Sequence, residues 1–198
     1  MPPPRSVTLE SDRTYLAALG EFIETFATIE TVIFNALISY ANMPVPVGRA
    51  LLSGTRVDQA IDFINRLFEA GLVPQNERAE IADALTQLRA INNFRNTLVH
   101  HNSFVTSDRG RVVSNVSRAL TPARIREHRT SPEILAGAIH DLIKIGNALL
   151  AVRFMRGVPP LARAKELPIL SDAWRYKPDE LSTHEGAGKD RNRGRRRE

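Results

Sequence analysis

The chain contains no cysteine, which excludes a disulfide framework, thiolate catalysis and thiolate-ligated zinc, and which suits a reducing cytoplasm. The apolar core of a secretion signal is also missing, since the first residues read Met1-Pro2-Pro3-Pro4-Arg5. The most apolar later run is interrupted by His140, Asp141, Lys144 and Asn147, so a soluble protein with no membrane span is expected. No internal repeat is present, which leaves out solenoid architectures. With 198 residues, 42% of them hydrophobic, there is enough chain for one domain with a sizeable core plus tails, and too little for two full domains.

Charge is the first positive feature. The net charge is +5, and Lys189, Arg191, Arg193, Arg195, Arg196 and Arg197 crowd the end of the chain. This reading leaves the folded part only mildly basic, with a tail that would bind any polyanion and so names no substrate. Three segments are expected: a flexible arm over 1–12, a helical domain over 13–157 and an extension over 158–198. Prolines break that extension, Leu170 and Trp174 could dock it, and its tail is read as disordered from about residue 182.

Periodicity predicts a mostly helical domain. Ser11 or Asp12 can cap a long first helix whose stripe is Tyr15, Leu19, Phe22, Phe26, Ile29, Ile33, Leu37 and Tyr40, all at helical spacing. Met43-Pro44-Val45-Pro46 ends it, and residues 47–53 add a short helical turn. A second full helix, capped by Thr55 or Asp58, buries Ala60, Ile61, Ile64, Leu67 and Phe68 and stops at Gly71. A third long helix starts near Gln75–Glu77. Phe104-Val105-Thr106 and Arg111-Val112-Val113 then flank a turn with Gly110 where a positive φ is wanted, which predicts a small β-hairpin. Thr121-Pro122 opens a short charged helix containing His128. Ser131-Pro132-Glu133 opens a longer one through about Met155, with Leu135, Ala138, Ile139, Leu142, Ile145, Leu149 and Leu150 on its core face. On its polar face His140 and Asp141 are expected to be solvated.

The chemistry concentrates at the end of the third long helix. Ile81, Leu85, Leu88, Ile91 and Val99 form an apolar stripe there, and Asn92 and Arg95 project from the same stripe. An inward guanidinium needs a carboxylate, a cleft or a second subunit, because burying it alone costs several kcal/mol. Glu30, about 50° from the centre of the first helix's stripe, is the natural counter-ion and is expected to be largely covered. Asn96 precedes His100 by four residues and can orient its imidazole. Arg95 lies about 140° from His100 on an ideal helix, a separation that a long side chain at a fraying end, or a second subunit, can bridge. A histidine that moves protons beside an arginine that stabilises a pentavalent oxyanion suits metal-free cleavage of RNA, whose own 2′-hydroxyl is the nucleophile. Two plainer roles stand beside this one: Arg95 and Glu30 as a packing ion pair, and His100 and His101 as favourable charges at a helix C-terminus. No helix-turn-helix pattern supports a DNA-binding regulator.

Arg95-Asn96-Thr97-Leu98-Val99-His100 resembles the Arg-Asn-x-x-x-His signature of the HEPN superfamily. The resemblance implies an all-α, up-and-down bundle of four to five helices, here with a small β-hairpin inserted after the third long helix. It implies a metal-independent endoribonuclease, with no cofactor, whose paired Arg and His meet at a homodimer interface and leave a 2′,3′-cyclic phosphate. Arg95, Asn96 and His100 would be catalytic, with Glu30, Asn92 and His101 supporting. Many relatives are toxins or defence effectors, some neutralised by a nucleotidyltransferase-type antitoxin or an immunity protein. Others are non-catalytic modules that dimerise and bind a partner protein or nucleotide.

Overall fold

A run of apolar residues at helical spacing makes the first 40 residues one long rod. In the computed structural model, which describes residues 9–72, 75–108, 110–121, 124–155 and 158–178, helix α1 spans Leu9–Tyr40. It begins ahead of Ser11 and Asp12, so neither caps it, and residues 9–12 of the anticipated arm are helical. Residues 1–8 and the tail from 179 lie outside the described residues.

Asn42, with φ of 50°, and the prolines behind it end α1. Helix α2 (Val45–Leu52) starts on Pro46 in its first turn. Helix α3 (Val57–Glu69) is capped by neither Thr55 nor Asp58; the N–H of Arg56 donates to Oε1 of Gln59 at 3.0 Å instead. Gly71 turns the chain with φ of 71°, and α4 runs Gln75–His100. Strands β1 (Asn102–Thr106) and β2 (Gly110–Ser114) form the expected hairpin, Gly110 taking φ of 73°. The expected short helix after Thr121 is replaced, at His128, by a strand, β3 (Glu127–Arg129), so the hairpin grows into a three-stranded antiparallel sheet in the order β1-β2-β3. Helix α5 (Pro132–Phe154) begins as its sequence predicts, with the Ser131 hydroxyl accepting from the N–H of Ile134. The same hydroxyl, and then its own backbone N–H, hold the Glu133 carboxyl below the usual glutamate range.

The described residues divide into two compact units, one made of the chain up to Arg95 with Ser131–Pro178 and the other of Asn96–Thr130. In the helical unit α1 packs along α5 and α3. Phe22, Phe26, Ile29, Ile33 and Leu37 of α1 meet Ala60, Ile61, Ile64 and Phe68 of α3, Leu85, Leu88, Ile91 and Phe94 of α4, and Leu135, Leu142, Ile145 and Leu149 of α5 in one buried core. Rings tie the layers together: Phe94 lies 5.8 Å from Phe22 and stacks at 5.0 Å on Tyr176. Residues 10–40 and 132–151 are each long and apolar enough to cross a membrane, and part of that apolar surface is buried in this core. The described part of the extension, residues 158–178, runs through α6 (Pro160–Glu166), a 3-10 turn (Pro168–Ser171) and an extended strap.

In the sheet unit the register pairs Phe104 with Val112 and Val112 with Arg129, so these three side chains share one face. The long connection from β2 to β3 is closed by Asn115. Its Oδ1 accepts from the N–H of Arg126 at 2.7 Å and its Nδ2 donates to the carbonyl of Arg124 at 3.1 Å.

Candidate functional site

Helix α4 carries the whole Arg-Asn-x-x-x-His pattern in its last turns. Its core face is Ile81, Ala84, Leu85, Leu88, Ile91 and Phe94; Val99, expected in that stripe, is 48% exposed. The stripe therefore stops one turn earlier than sequence spacing suggests, and Phe94 closes it.

Asn92 is buried, as its position on the stripe requires, and its Nδ2 donates to Oδ1 of Asp58 on α3 at 2.8 Å. Arg95 is half-buried and turns inward, with its guanidinium carbon 5.5 Å from the centre of the Phe26 ring. A cation over an aromatic face gains about 0.5–2 kcal/mol. Glu30 does not serve as the covered counter-ion: it is exposed and forms no ion pair among the described residues. The flank of α1 that holds it stays open to solvent, so distance from the stripe's centre overstated its burial.

In the second unit, Asn96 is half-buried and His100, the last residue of α4, is exposed. His101 continues the helical hydrogen bonding, its N–H donating to the Thr97 carbonyl at 3.1 Å. Its Nδ1 is inaccessible and has no hydrogen-bond partner among the described residues. Of the two neighbouring histidines, His100 offers its ring to solvent and His101 is half-covered. An exposed imidazole is free to exchange protons with a ligand. Among the described residues no three His, Asp or Glu side chains are grouped to hold a metal ion.

A second polar cluster sits where the sequence predicts solvated side chains. Asp141 is fully buried. Its carboxylate accepts from the backbone N–H of Arg175 at 3.0 Å and of Tyr176 at 2.8 Å, and from Nε2 of Gln87 at 2.8 Å. His140 places Nε2 2.7 Å from Asp172 and Nδ1 3.3 Å from Asp141. Lys144, also buried, donates to the Asp172 carbonyl and lies 4.0 Å from the centre of the Trp174 ring. These groups clasp the strap against α5 and α4. The extension docks, then, but mainly through Tyr176 and backbone amides rather than Leu170. Only Trp174 and Tyr176 downstream hinted at this, because a buried carboxylate whose partners are backbone N–H groups leaves no side-chain signature. Asp58, a cap candidate by sequence, is instead the acceptor for Asn92. No family model, curated protein or solved structure matches the chain.

Proposed function

We propose that the chain is a metal-independent endoribonuclease of HEPN type, built as an up-and-down bundle and acting as a twofold dimer in the cytoplasm. The observation that carries this reading is an exposed histidine, His100, closing a helix that holds an inward-turned Arg95 and Asn96 in the same last turns. In the proposed reaction the 2′-oxygen of a single-stranded or looped RNA attacks the adjacent phosphorus while His100 of one protomer takes its proton. The P–O5′ bond breaks, and the partner's His100 returns a proton to the departing 5′ oxygen. Arg95 stabilises the phosphorane's charge. Asn96 positions the imidazole from one turn away. A toxin or defence role, restrained by a nucleotidyltransferase-type antitoxin or immunity protein, belongs to the same proposal.

A specific observation favours a second reading. Asn92 is satisfied by Asp58, and the Arg95 guanidinium rests on Phe26, interactions that serve packing whether or not RNA is cut. On that reading the chain is a non-catalytic dimerisation or binding module for a partner protein or nucleotide. Product analysis separates the two: the ribonuclease yields 2′,3′-cyclic phosphate and 5′-hydroxyl ends in EDTA, and leaves RNA with 2′-O-methyl groups intact. Intact natural RNA across varied sequences would leave the binding module standing.

A further inference from the structure

The protein's positive charge is not where the basic tail suggests. The helical unit, residues 1–95 with 131–178, holds 15 basic and 15 acidic residues, and the tail's cations are nearly cancelled by its own carboxylates. Residues 96–130 hold six arginines, no lysine and two carboxylates, a net of +4. Arg118, Arg124, Arg126 and Arg129 are all exposed. None of these four guanidiniums has an ion-pair or hydrogen-bond partner among the described residues, in contrast with Arg89 on Asp62 and Arg175 on Asp172 in the helical unit.

One asparagine gathers three of them. Besides its two side-chain bonds to the backbone of Arg124 and Arg126, Asn115 accepts at its carbonyl from the N–H of Arg118 at 2.8 Å and donates its N–H to the Arg126 carbonyl at 3.3 Å. Like charges would spread apart on a mobile loop; here the backbone of Arg118, Arg124 and Arg126 is tied to Asn115. The fourth, Arg129, shares a sheet face with Phe104, a residue 37% exposed, across the buried Val112. Arginine's planar fork matches phosphate oxygens and stacks on bases, as a lysine's point charge does not. An exposed ring that shares a sheet face with an arginine is a combination that suits single strands, because only an unpaired base offers its face for stacking.

We propose that the described residues of the sheet unit form a single-stranded RNA-binding surface, in which Arg118, Arg124 and Arg126, gathered by Asn115, hold phosphates and Phe104 with Arg129 takes a base and its phosphate. This deepens the proposed function and rests on it for the choice of RNA as the polyanion.

The test uses full-length His100→Ala protein, so that cleavage plays no part, and fluorescence anisotropy with a labelled 12-nucleotide RNA of mixed sequence. Replacing Arg118, Arg124 and Arg126 together by Gln should weaken binding about 10²-fold at low salt. It should also make the slope of log affinity against log salt shallower by about 2, at about 0.7 for each phosphate no longer neutralised. Phe104→Ala should lose about 5-fold or more with the slope unchanged. Asn115→Ala should weaken binding although every arginine remains. Circular dichroism of each variant matching the parent secures the comparison, and the triple variant alters only exposed side chains. A triple variant that binds like its parent overturns the surface. So does equal competition by duplex RNA, or selective binding to phosphatidylserine vesicles without RNA binding. Failure of the ribonuclease reading looks different: wild-type protein leaves RNA uncut while the anisotropy losses persist.

Discussion

Asp141 has no access to solvent, and its oxygens accept from two backbone N–H groups and an amide on α4. Removing it strands those donors in a dry site, at about 1–3 kcal/mol each. Asp141→Ala should therefore lose about 3 kcal/mol or more of stability in urea unfolding, and a loss under about 1 kcal/mol would show that the clasp contributes little. Glu30 gives the opposite expectation. Exposed and without an ion pair among the described residues, it should tolerate Glu30→Ala within about 0.5 kcal/mol, and a melt lowered by many degrees would restore it as partner to Arg95. Helical spacing ranks the two carboxylates the other way round, with Glu30 nearer its apolar stripe and Asp141 on a polar face. What separates them is which neighbour covers the flank: the strap covers Asp141, and nothing in the local pattern announces a strap.

At the scale of elements, most of the helices were legible because stripes and prolines agree, although the caps expected for α1 and α3 fail: α4 and α5 begin where Gln75 and the Ser131-Pro132-Glu133 cap predict. The stretch Arg124-Ile125-Arg126-Glu127-His128-Arg129 misled because its alternation is short and charged. Its strand character comes from pairing with β2 and from Asn115, an interaction spanning eleven residues that no local propensity encodes. Close packing is equally invisible in sequence. A Cβ on Gly48 of α2 would fall 2.6 Å from Cγ1 and 2.8 Å from Cδ1 of Ile38, itself buried. Gly48→Ala should thus cost about 1–3 kcal/mol by overpacking, although alanine is the better helix former by about 1 kcal/mol. With Ile38→Val, which removes one methyl, the two losses should be less than additive in a double-mutant cycle; unaltered stability in the single variant would show that α2 yields easily.

For the whole molecule, the sequence placed its excess charge in the tail, whereas counting by unit puts nearly all of it between residues 96 and 130. The mostly helical character was readable, and so was the hairpin. The division at Arg95–Asn96 was not, because α4 runs through it without a break in pattern. Proposed catalysis by paired His100 side chains also makes an assembly prediction. Light scattering should give a twofold dimer at tens of micromolar, and a strict monomer would remove the second proton-transfer group.

In the proposed reaction His100 moves the proton, and its exposed position at the end of α4 makes that role separable from folding. The direct measurement is single-turnover cleavage of a labelled RNA in EDTA by wild type, His100→Ala, Arg95→Ala and the double variant. His100→Ala should melt like wild type and cleave at least 10²-fold more slowly, as loss of general acid–base catalysis typically costs about 10²–10⁴-fold. Arg95→Ala should be similarly inactive and the double variant little worse, since both act in one step. Cleavage by His100→Ala at the wild-type rate would contradict the proposed role of His100.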